Sequence, residues 1–150
     1  MQFRRATLED AYAISQLIQV LAHGFVSNSD GSGAEQFWAS VSESAEASYI
    51  ANPRYAYTVA MSGEVLAGFI AMRDTSHVFH LFVSHQFQRQ GLATKLWAHE
   101  LALAHESGHA APFTVNSSLN AVPVYRRFGF TAVSAVTHAH GVSFLPMERI

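Results

Sequence analysis

The chain contains no cysteine, few charged residues and no long uninterrupted run of apolar residues. The lack of cysteine excludes disulfide bonds, thiolate metal sites and a cysteine nucleophile. Charged residues make up only 13% of the chain, and the formal net charge is −2. Because nucleic acids and anionic lipids reward a basic surface, this composition argues against both as partners. The apolar runs are far shorter than the ~18 residues that a membrane-spanning helix needs.

Hydrophobic residues are abundant instead, at 49% of 150 residues. A chain of this length fits one domain that buries about two-thirds of its unfolded surface. The first six residues show no apolar segment of the kind that a secretory signal contains, so the sequence favours the cytoplasm.

Apolar periodicity and turn signals predict a single-domain α/β (α+β) fold, with a mixed and mostly antiparallel sheet of about seven strands flanked by about four helices. A loop rich in glycine and serine is predicted at residues 27–33. The predicted strands cover residues 2–6, 55–61, 65–73, 77–83, 112–116, 130–137 and 142–148. The predicted helices cover residues 8–22, 34–50, 91–107 and 120–128.

The segment 81–94 carries the strongest chemical signal: an apolar strand, a polar loop and then the start of a long helix. Free backbone N–H groups at such a helix start attract anions, and the small residues Gly91 and Ala93 let a diphosphate approach closely. The segment is not a Walker motif, because no Gly-Lys-Ser/Thr follows. It also lacks the three glycines of a dinucleotide fingerprint.

Two ordered motifs make the sequence similar to the GNAT superfamily of acyl-CoA-dependent N-acyltransferases. The first is Gln88-Arg89-Gln90-Gly91-Leu92-Ala93 after a strand ending in Val83, which resembles the family's diphosphate signature. The second spans residues 115–130 and resembles the family's Asn-x-Ser-x-x-Ala-x-x-x-Tyr-x-x-x-Gly-Phe segment. With Gly68 in the third strand also in agreement, the likeness covers nearly the whole chain.

The resemblance implies a V-shaped opening between the strand ending at Val83 and the strand ending at Asn116, where the pantetheine arm of acetyl-CoA lies like an extra strand. In this interpretation the backbone of Phe82 and Val83 binds the coenzyme, the Val83 N–H polarises the thioester carbonyl, and Asn116 contacts the pantetheine. The residues expected to hold the diphosphate are Gln88, Arg89, Gln90, Gly91, Leu92, Ala93 and Thr94.

Tyr125 occupies the position where the family keeps the acid that protonates the leaving thiolate. A phenol with a pKa near ~10 stays protonated at neutral pH, and a thiol with a pKa near ~8.5 leaves as an anion that accepts the proton. The alternative is an aromatic side chain that only packs against the sheet.

The acceptor amine must lose a proton, and the resemblance implies a base at His77, six residues before Val83. Regular strand alternation places His77, Leu81 and Val83 on one face and His80 on the other, which favours His77. A bulge would reverse this order, so His80 is the reserve candidate. For either histidine, a structural role is the alternative.

The string His105-Glu106-Ser107-Gly108-His109 spells a zinc-protease motif. That motif needs both histidines on one helix face, and Gly108 interrupts the helix, so we assign no metal ligand. Three aromatic residues of the predicted helix 34–50 are candidates for the wall of an acceptor pocket, with core packing as the alternative. They are Phe37, Trp38 and Tyr49, and Glu35, Glu43 and Glu46 give the same region a mild negative charge.

The sequence therefore predicts an acetyl-CoA-dependent N-acetyltransferase in which a primary amine attacks the thioester directly. A non-catalytic acyl-CoA-binding module and a zinc hydrolase are the alternative functions. The expected partner is a small-molecule or peptide amine, and the resemblance makes a homodimer possible. The sequence leaves open the identity of the acceptor and whether the acyl group is acetyl or longer.

Overall fold

The computed structural model of the protein describes residues 1–28, 30–110 and 112–150; Ser29, in the predicted loop 27–33, lies outside the described residues. The described residues form eight strands in one sheet. The strands are β1 (Gln2–Arg5), β2 (Tyr55–Ser62), β3 (Val65–Arg73), β4 (His77–Val83), β5 (Phe113–Ser118), β6 (Thr131–Ala132), β7 (Thr137–Ala139) and β8 (Val142–Arg149).

The strand order is β1-β2-β3-β4-β5-β8-β6, and β7 pairs with β8 beyond this path. All pairings are antiparallel except that of β4 with β5, which is parallel. The prediction of a mixed, mostly antiparallel sheet is thus confirmed. The single predicted strand 130–137 is wrong in extent, because the chain leaves the sheet after Ala132 and returns at Thr137.

The described residues also form five α-helices: α1 (Ala11–Ala22), α2 (Glu35–Ser40), α3 (Glu43–Ala51), α4 (Leu92–Glu106) and α5 (Val122–Arg127). The predicted helix 34–50 is wrong in one respect, because it is two helices. Ser42 breaks it: its backbone is extended, and its hydroxyl accepts a hydrogen bond from the N–H of Ala45 as the N-cap of α3. None of the helices in the described ranges is long and apolar enough to cross a membrane.

The helices cover both faces of the sheet and divide the core in two. On one face, Ile14 and Ile18 of α1 pack with Tyr57 and Phe69 of the sheet. On the other face, side chains of α4 and α5 pack against the sheet, and Leu96 of α4 is fully buried there. Alternation along β2 and β3 supplies side chains to both halves, as expected for a sheet buried on both faces.

The turn between β7 and β8 closes over the loop that precedes α2. Gly141 has a φ of 78°, and a side chain there would overlap the carbonyl of Gly33. The Gly141 carbonyl accepts a hydrogen bond from the N–H of Ser27 at 2.8 Å. These contacts hold the last hairpin beside α2, where it forms one wall of a cavity described below.

Candidate active site

Strands β4 and β5 part soon after they begin to pair. Their parallel register covers only His77 opposite Thr114 and Val78 opposite Val115. Beyond this point β4 continues to Val83 with no described strand paired on that side, while β5 keeps its pairing with β8 on its other edge as far as Ser118. The opening predicted between these strands is therefore present.

The backbone of Val83 faces this opening. Opposed residues of antiparallel strands alternate between pairs that exchange hydrogen bonds and pairs whose N–H and C=O groups point outwards. Ser84 donates to the carbonyl of Ala67 at 2.8 Å, so the adjacent pair, Val83 opposite Gly68, is of the outward kind. The Val83 carbonyl accepts a hydrogen bond from the Gln88 side chain at 2.9 Å. Because the pair is of the outward kind, the Val83 N–H points into the gap between β4 and β5.

The same alternation separates Phe82 from its neighbours. Phe82 lies opposite Phe69, so its N–H and C=O point towards β3, whereas Leu81 shares the outward direction of Val83. This geometry does not favour the expected contact of the Phe82 backbone with the coenzyme, which stays a prediction, and it leaves Leu81 and Val83 to present their backbones to the opening. Sequence reasoning missed Leu81, although its spacing of two from Val83 is a usable signal.

A cavity of about 520 Å³ lies at the end of β4, between the starts of α4 and α5. This size falls in the range of small-molecule and cofactor sites. Six of the seven residues expected to hold the diphosphate line it, while Gln90 does not and instead donates to the Gln86 carbonyl. The lining residues from this loop are Gln88, Arg89, Gly91, Leu92, Ala93 and Thr94.

The loop into α4 presents unpaired backbone donors to this cavity. Within the described part of the chain, the N–H groups of residues 89–94 donate to no other backbone group. Arg89 and Gly91 have φ values of 62° and 79°, the left-handed conformation that occurs in anion-binding turns. The φ of Gly91 favours glycine, and the space beside it is open, because a side chain added there would meet nothing within 4 Å. With the positive end of the 15-residue helix α4 behind it, the loop can bind phosphate groups.

Tyr125 lies where this cavity meets a second one. The side chain is almost fully buried, packs edge-on against Phe128 and Phe130, and lines both cavities. Its hydroxyl makes no hydrogen bond to any described residue. The hydroxyl oxygen is also not fully buried, so it reaches the open space of the cavities. Burial raises the pKa of the phenol above its ordinary value, so Tyr125 is protonated at neutral pH.

The second cavity, of about 350 Å³, lies on the other side of Tyr125, beneath α2 and the last hairpin. The two cavities share Phe25, Leu81, Phe82, Ser118, Ala121 and Tyr125. Of the predicted acceptor-wall aromatics, Phe37 and Tyr49 line the second cavity and Trp38 does not. Asn116 also lines this second cavity, whereas Asn120, which sequence reasoning overlooked, lines the first.

A bulge in β4 changes the predicted placement of the histidines. Ala71 lies opposite His80 and Met72 opposite Val78, so Phe79 is an extra residue in β4. The side chains of His77 and His80, which lie before and after the extra residue, therefore point to the same face of the sheet. Both line the second cavity. The expected separation of His77 from His80 by strand parity is wrong.

His77 is held at the far end of this cavity. Its Nδ1 atom lies 2.8 Å from the hydroxyl oxygen of Thr114. Burial, followed by the nearby charge of Arg73, lowers the pKa of His77 to about 4. The imidazole is therefore neutral at pH 7, but a weak acceptor of protons.

His80 has a buried carboxylate as its partner. Its Nε2 atom lies 3.2 Å from Oε2 of Glu46, and the other oxygen of Glu46 accepts a hydrogen bond from the Tyr57 hydroxyl at 2.7 Å. Glu46 has no exposed surface, while His80 is 9% exposed and lines the second cavity. Glu35 and Glu43, in contrast, are exposed. An acidic residue between Val41 and Tyr49 on the apolar face of a helix is the signal that could have singled out Glu46.

The zinc-protease string falls at the end of a helix. Helix α4 stops at Glu106, and Gly108 has a φ of 89°, so His109 lies outside the helix that carries His105. Across the ranges that the structure describes, no group of three or more His, Cys, Asp or Glu side chains is placed to hold a metal ion.

A family model for the acetyltransferase (GNAT) domain matches residues 25–150. The chain belongs to the GNAT family. This membership makes the protein an acyltransferase, and it agrees with a fold in which β4 and β5 part beside a cofactor-sized cavity. No curated protein sequence matches the chain.

Solved structures share this GNAT fold over almost the whole chain. The GCN5-related N-acetyltransferase from Rhodopseudomonas palustris is 22% identical, with a TM-score of 0.80 over 99% of this chain and 94% of that one. PaiA N-acetyltransferase from Thermoplasma acidophilum, solved with coenzyme A, is 13% identical, with a TM-score of 0.78 over 99% and 97%. An aminoglycoside 6'-N-acetyltransferase complexed with coenzyme A is 12% identical, with a TM-score of 0.70 over 99% and 96%. At these identities the likeness shows the fold alone.

Proposed function

We propose that the protein transfers an acetyl group from acetyl-CoA to a primary amine while both are bound. The observation that carries this proposal is the meeting of two cavities at Leu81, Phe82 and Tyr125. One cavity ends at a loop of unpaired N–H groups, and the other contains two histidines. Two reactants bound on either side would be held together at the shared wall, which converts a bimolecular encounter into a reaction within one complex.

The first cavity fits coenzyme A. The N–H groups of residues 89–94 suit the diphosphate, and the outward backbone of Leu81 and Val83 suits the amide groups of the pantetheine arm. Coenzyme A occurs in the solved complexes of two structural neighbours, which supports the same ligand here. When bound, acetyl-CoA supplies an activated acyl carbon and a thiolate leaving group.

Val83 and Tyr125 act on the two ends of the thioester. The Val83 N–H donates to the carbonyl oxygen, where negative charge develops as the amine attacks. The new bond joins the amine nitrogen to the acetyl carbon, and the carbon–sulfur bond breaks. The Tyr125 phenol, protonated and without a hydrogen-bond partner among the described residues, gives its proton to the departing sulfur.

The amine needs a base before it attacks. At a pKa near ~10.4, releasing the first proton at pH 7 costs about 4.6 kcal/mol, so a proton acceptor at the site accelerates the reaction. The attack releases a second proton from the nitrogen. One of these two protons restores the phenol of Tyr125 after it protonates the coenzyme sulfur, and the other passes to solvent through the base.

We assign the base to His80 rather than His77. At ~3.3 Å per residue, His77 lies six residues and up to ~20 Å from Val83, whereas His80 lies three residues and ~10 Å away. Nε2 of His80 faces Glu46, and Nδ1 has no described partner and is not among the fully buried atoms. The buried carboxylate holds Nε2 of His80 in place and leaves Nδ1 to accept a proton, whereas no carboxylate among the described residues contacts the His77 ring.

Free thiol release tests the proposal. The purified protein is incubated with acetyl-CoA and a panel of amines, and acetyl-CoA binding is measured in parallel by calorimetry. We expect both binding and amine-dependent thiol release. Binding without release for every amine would replace the enzyme with a non-catalytic acyl-CoA-binding module, and absence of binding would contradict both functions.

A further inference from the structure

The second cavity carries an unusual charge pattern for a site that receives a cation. Among the residues that the structure describes, no aspartate or glutamate lines it, and Glu46 is screened from it by His80. Arg73 is the one arginine or lysine of the described lining, and the lowered pKa of His77 keeps the neighbouring imidazole neutral. The cavity thus favours a negative group at the position of Arg73.

The Arg73 guanidinium has N–H groups that no described residue accepts. It makes no side-chain hydrogen bond within the described ranges and lies 5.9 Å from the centre of the Phe79 ring. The nearest carboxylate is Asp74, whose oxygen is 4.0 Å from Nε of Arg73. Both oxygens of Asp74 already accept hydrogen bonds from Arg54, at 2.9 and 2.7 Å. A planar guanidinium with free N–H groups suits a carboxylate or another oxyanion.

The anionic position and the reaction centre lie at opposite ends of the cavity. Arg73 lies opposite His77 at the start of β4, and the wall shared with the first cavity begins at Leu81. Four residues of strand span ~13 Å, and the bulge at Phe79 shortens this distance towards ~10 Å. A molecule that reaches both ends is therefore longer than a simple α-amino acid, in which the nitrogen and the carboxylate are attached to the same carbon.

The wall between the two ends is apolar and aromatic. It consists mainly of the rings of Phe25, Phe37, Tyr49, Phe79, Phe82 and Phe144. Burying an apolar ligand body against this wall is favourable. The wall offers no polar partner that would offset the cost of desolvating further charges on the ligand.

We infer that the acceptor is an elongated, apolar amine that carries an anionic group about 10 Å from its reactive nitrogen, bound by Arg73. This inference rests on the proposed transferase function and defines its second substrate. Polyamines and other polycations are poor acceptors under it, because their distal ammonium group would face Arg73 without a carboxylate partner.

Three amines of equal chain length test the inference: 8-aminooctanoate, octylamine and 1,8-diaminooctane, whose far ends are anionic, neutral and cationic. We expect kcat/KM to be highest for 8-aminooctanoate, at least tenfold above the diamine. β-Alanine, with the same two groups close together, should be at least tenfold poorer than 8-aminooctanoate.

Arg73→Met should remove the preference for 8-aminooctanoate over octylamine while leaving acetyl-CoA affinity within twofold. Arg126→Met is the matched control, because Arg126 is exposed and lines neither cavity, and it should keep the preference. Equal or better use of the diamine, or no turnover of 8-aminooctanoate by protein that still binds acetyl-CoA, would overturn the acceptor class. Loss of acetyl-CoA binding itself would instead overturn the proposed function.

Discussion

The Nε2 atom of His80 lies 3.2 Å from a carboxylate oxygen of Glu46, although 34 positions separate the two residues in the chain. The carboxylate is fully buried, and its other oxygen is occupied by the Tyr57 hydroxyl. This arrangement fixes one nitrogen of the imidazole and leaves the other for the second cavity. In the proposed mechanism, Glu46 is therefore a positioning residue that acts through His80.

Replacing this pair should impair the chemical step and leave coenzyme binding intact. We expect His80→Gln and Glu46→Gln each to lower kcat about tenfold or more, because removal of a general base typically costs 10²–10⁴-fold and water replaces it in part. Steady-state kinetics over a pH range provides the measurement, and His80→Gln should lose the rise in kcat with pH that an imidazole base produces.

His77→Gln is the matched control for the base assignment. This substitution removes a histidine that lines the same cavity and leaves the contact between His80 and Glu46 in place, so kcat should change less than threefold. A larger loss for His77→Gln than for His80→Gln, with acetyl-CoA affinity unchanged in both, would return the base to His77.

Tyr125→Phe should lower kcat at least tenfold with little change in acetyl-CoA affinity. The substitution removes only the hydroxyl, and that hydroxyl makes no structural hydrogen bond to the described residues. Thermal unfolding should consequently be nearly unchanged. Tyr12→Phe, at an exposed position, controls for the loss of a phenol. A kcat unaffected by Tyr125→Phe would remove Tyr125 from the mechanism.

Gly91→Ala should weaken acetyl-CoA binding more than it destabilises the fold. Gly108→Ala is the matched control, because both glycines have left-handed φ values, 79° and 89°, with nothing within 4 Å of an added methyl group. Each substitution should cost ~1–2 kcal/mol of stability by denaturant unfolding. Only Gly91→Ala should lower acetyl-CoA affinity, by roughly tenfold, and equal affinities in the two variants would argue against the loop as the diphosphate site.

His77 should make the fold less stable in mild acid. Its folded-state pKa of about 4 lies below the ordinary value of 6.5, so the unfolded state binds the proton more readily. The His77 contribution is constant above pH 6.5 and is lost as the pH falls towards 4. Because the side chain is partly exposed, we expect a loss of ~1–2 kcal/mol. His77→Gln should flatten the free energy of unfolding in this window, and an unchanged slope would contradict the shift.

Gly68→Ala should destabilise the sheet next to the reaction centre. An added methyl group would lie 2.8 Å from the Phe82 carbonyl oxygen and 3.2 Å from the Cα atom of Val83. Forcing β3 and β4 apart should cost ~1–3 kcal/mol of unfolding free energy. Gly24→Ala, whose methyl group would lie in ordinary contact at 3.4 Å, should change stability by less than ~0.5 kcal/mol.

Local sequence patterns predict most of the fold because its elements are bounded by local signals. Gly91 and Gly108 delimit α4, and the glycine turn after Ser62 separates β2 from β3. The break in the predicted helix 34–50 is also marked locally, because Ser42 is an N-cap residue whose hydroxyl accepts a hydrogen bond from the N–H of Ala45. The apolar spacing continues across this break, and it therefore predicts one helix instead of two.

The candidate site was less predictable because two of its features depend on pairing between distant segments. The bulge at Phe79 is set by the register of β4 against β3, and nothing in the residues 77–83 themselves marks one of them as extra. The contact of His80 with Glu46 requires α3 to pack over the same face of the sheet. Strand alternation, applied to a regular strand, consequently gave the wrong side for one histidine.

Calorimetric titration of the protein with acetyl-CoA tests whether the loop before α4 binds the coenzyme, on which the proposed function depends. We expect saturable binding of one acetyl-CoA per chain, weakened by Gly91→Ala and preserved in Tyr125→Phe and His80→Gln. No heat and no rise in Tm at saturating acetyl-CoA would contradict it.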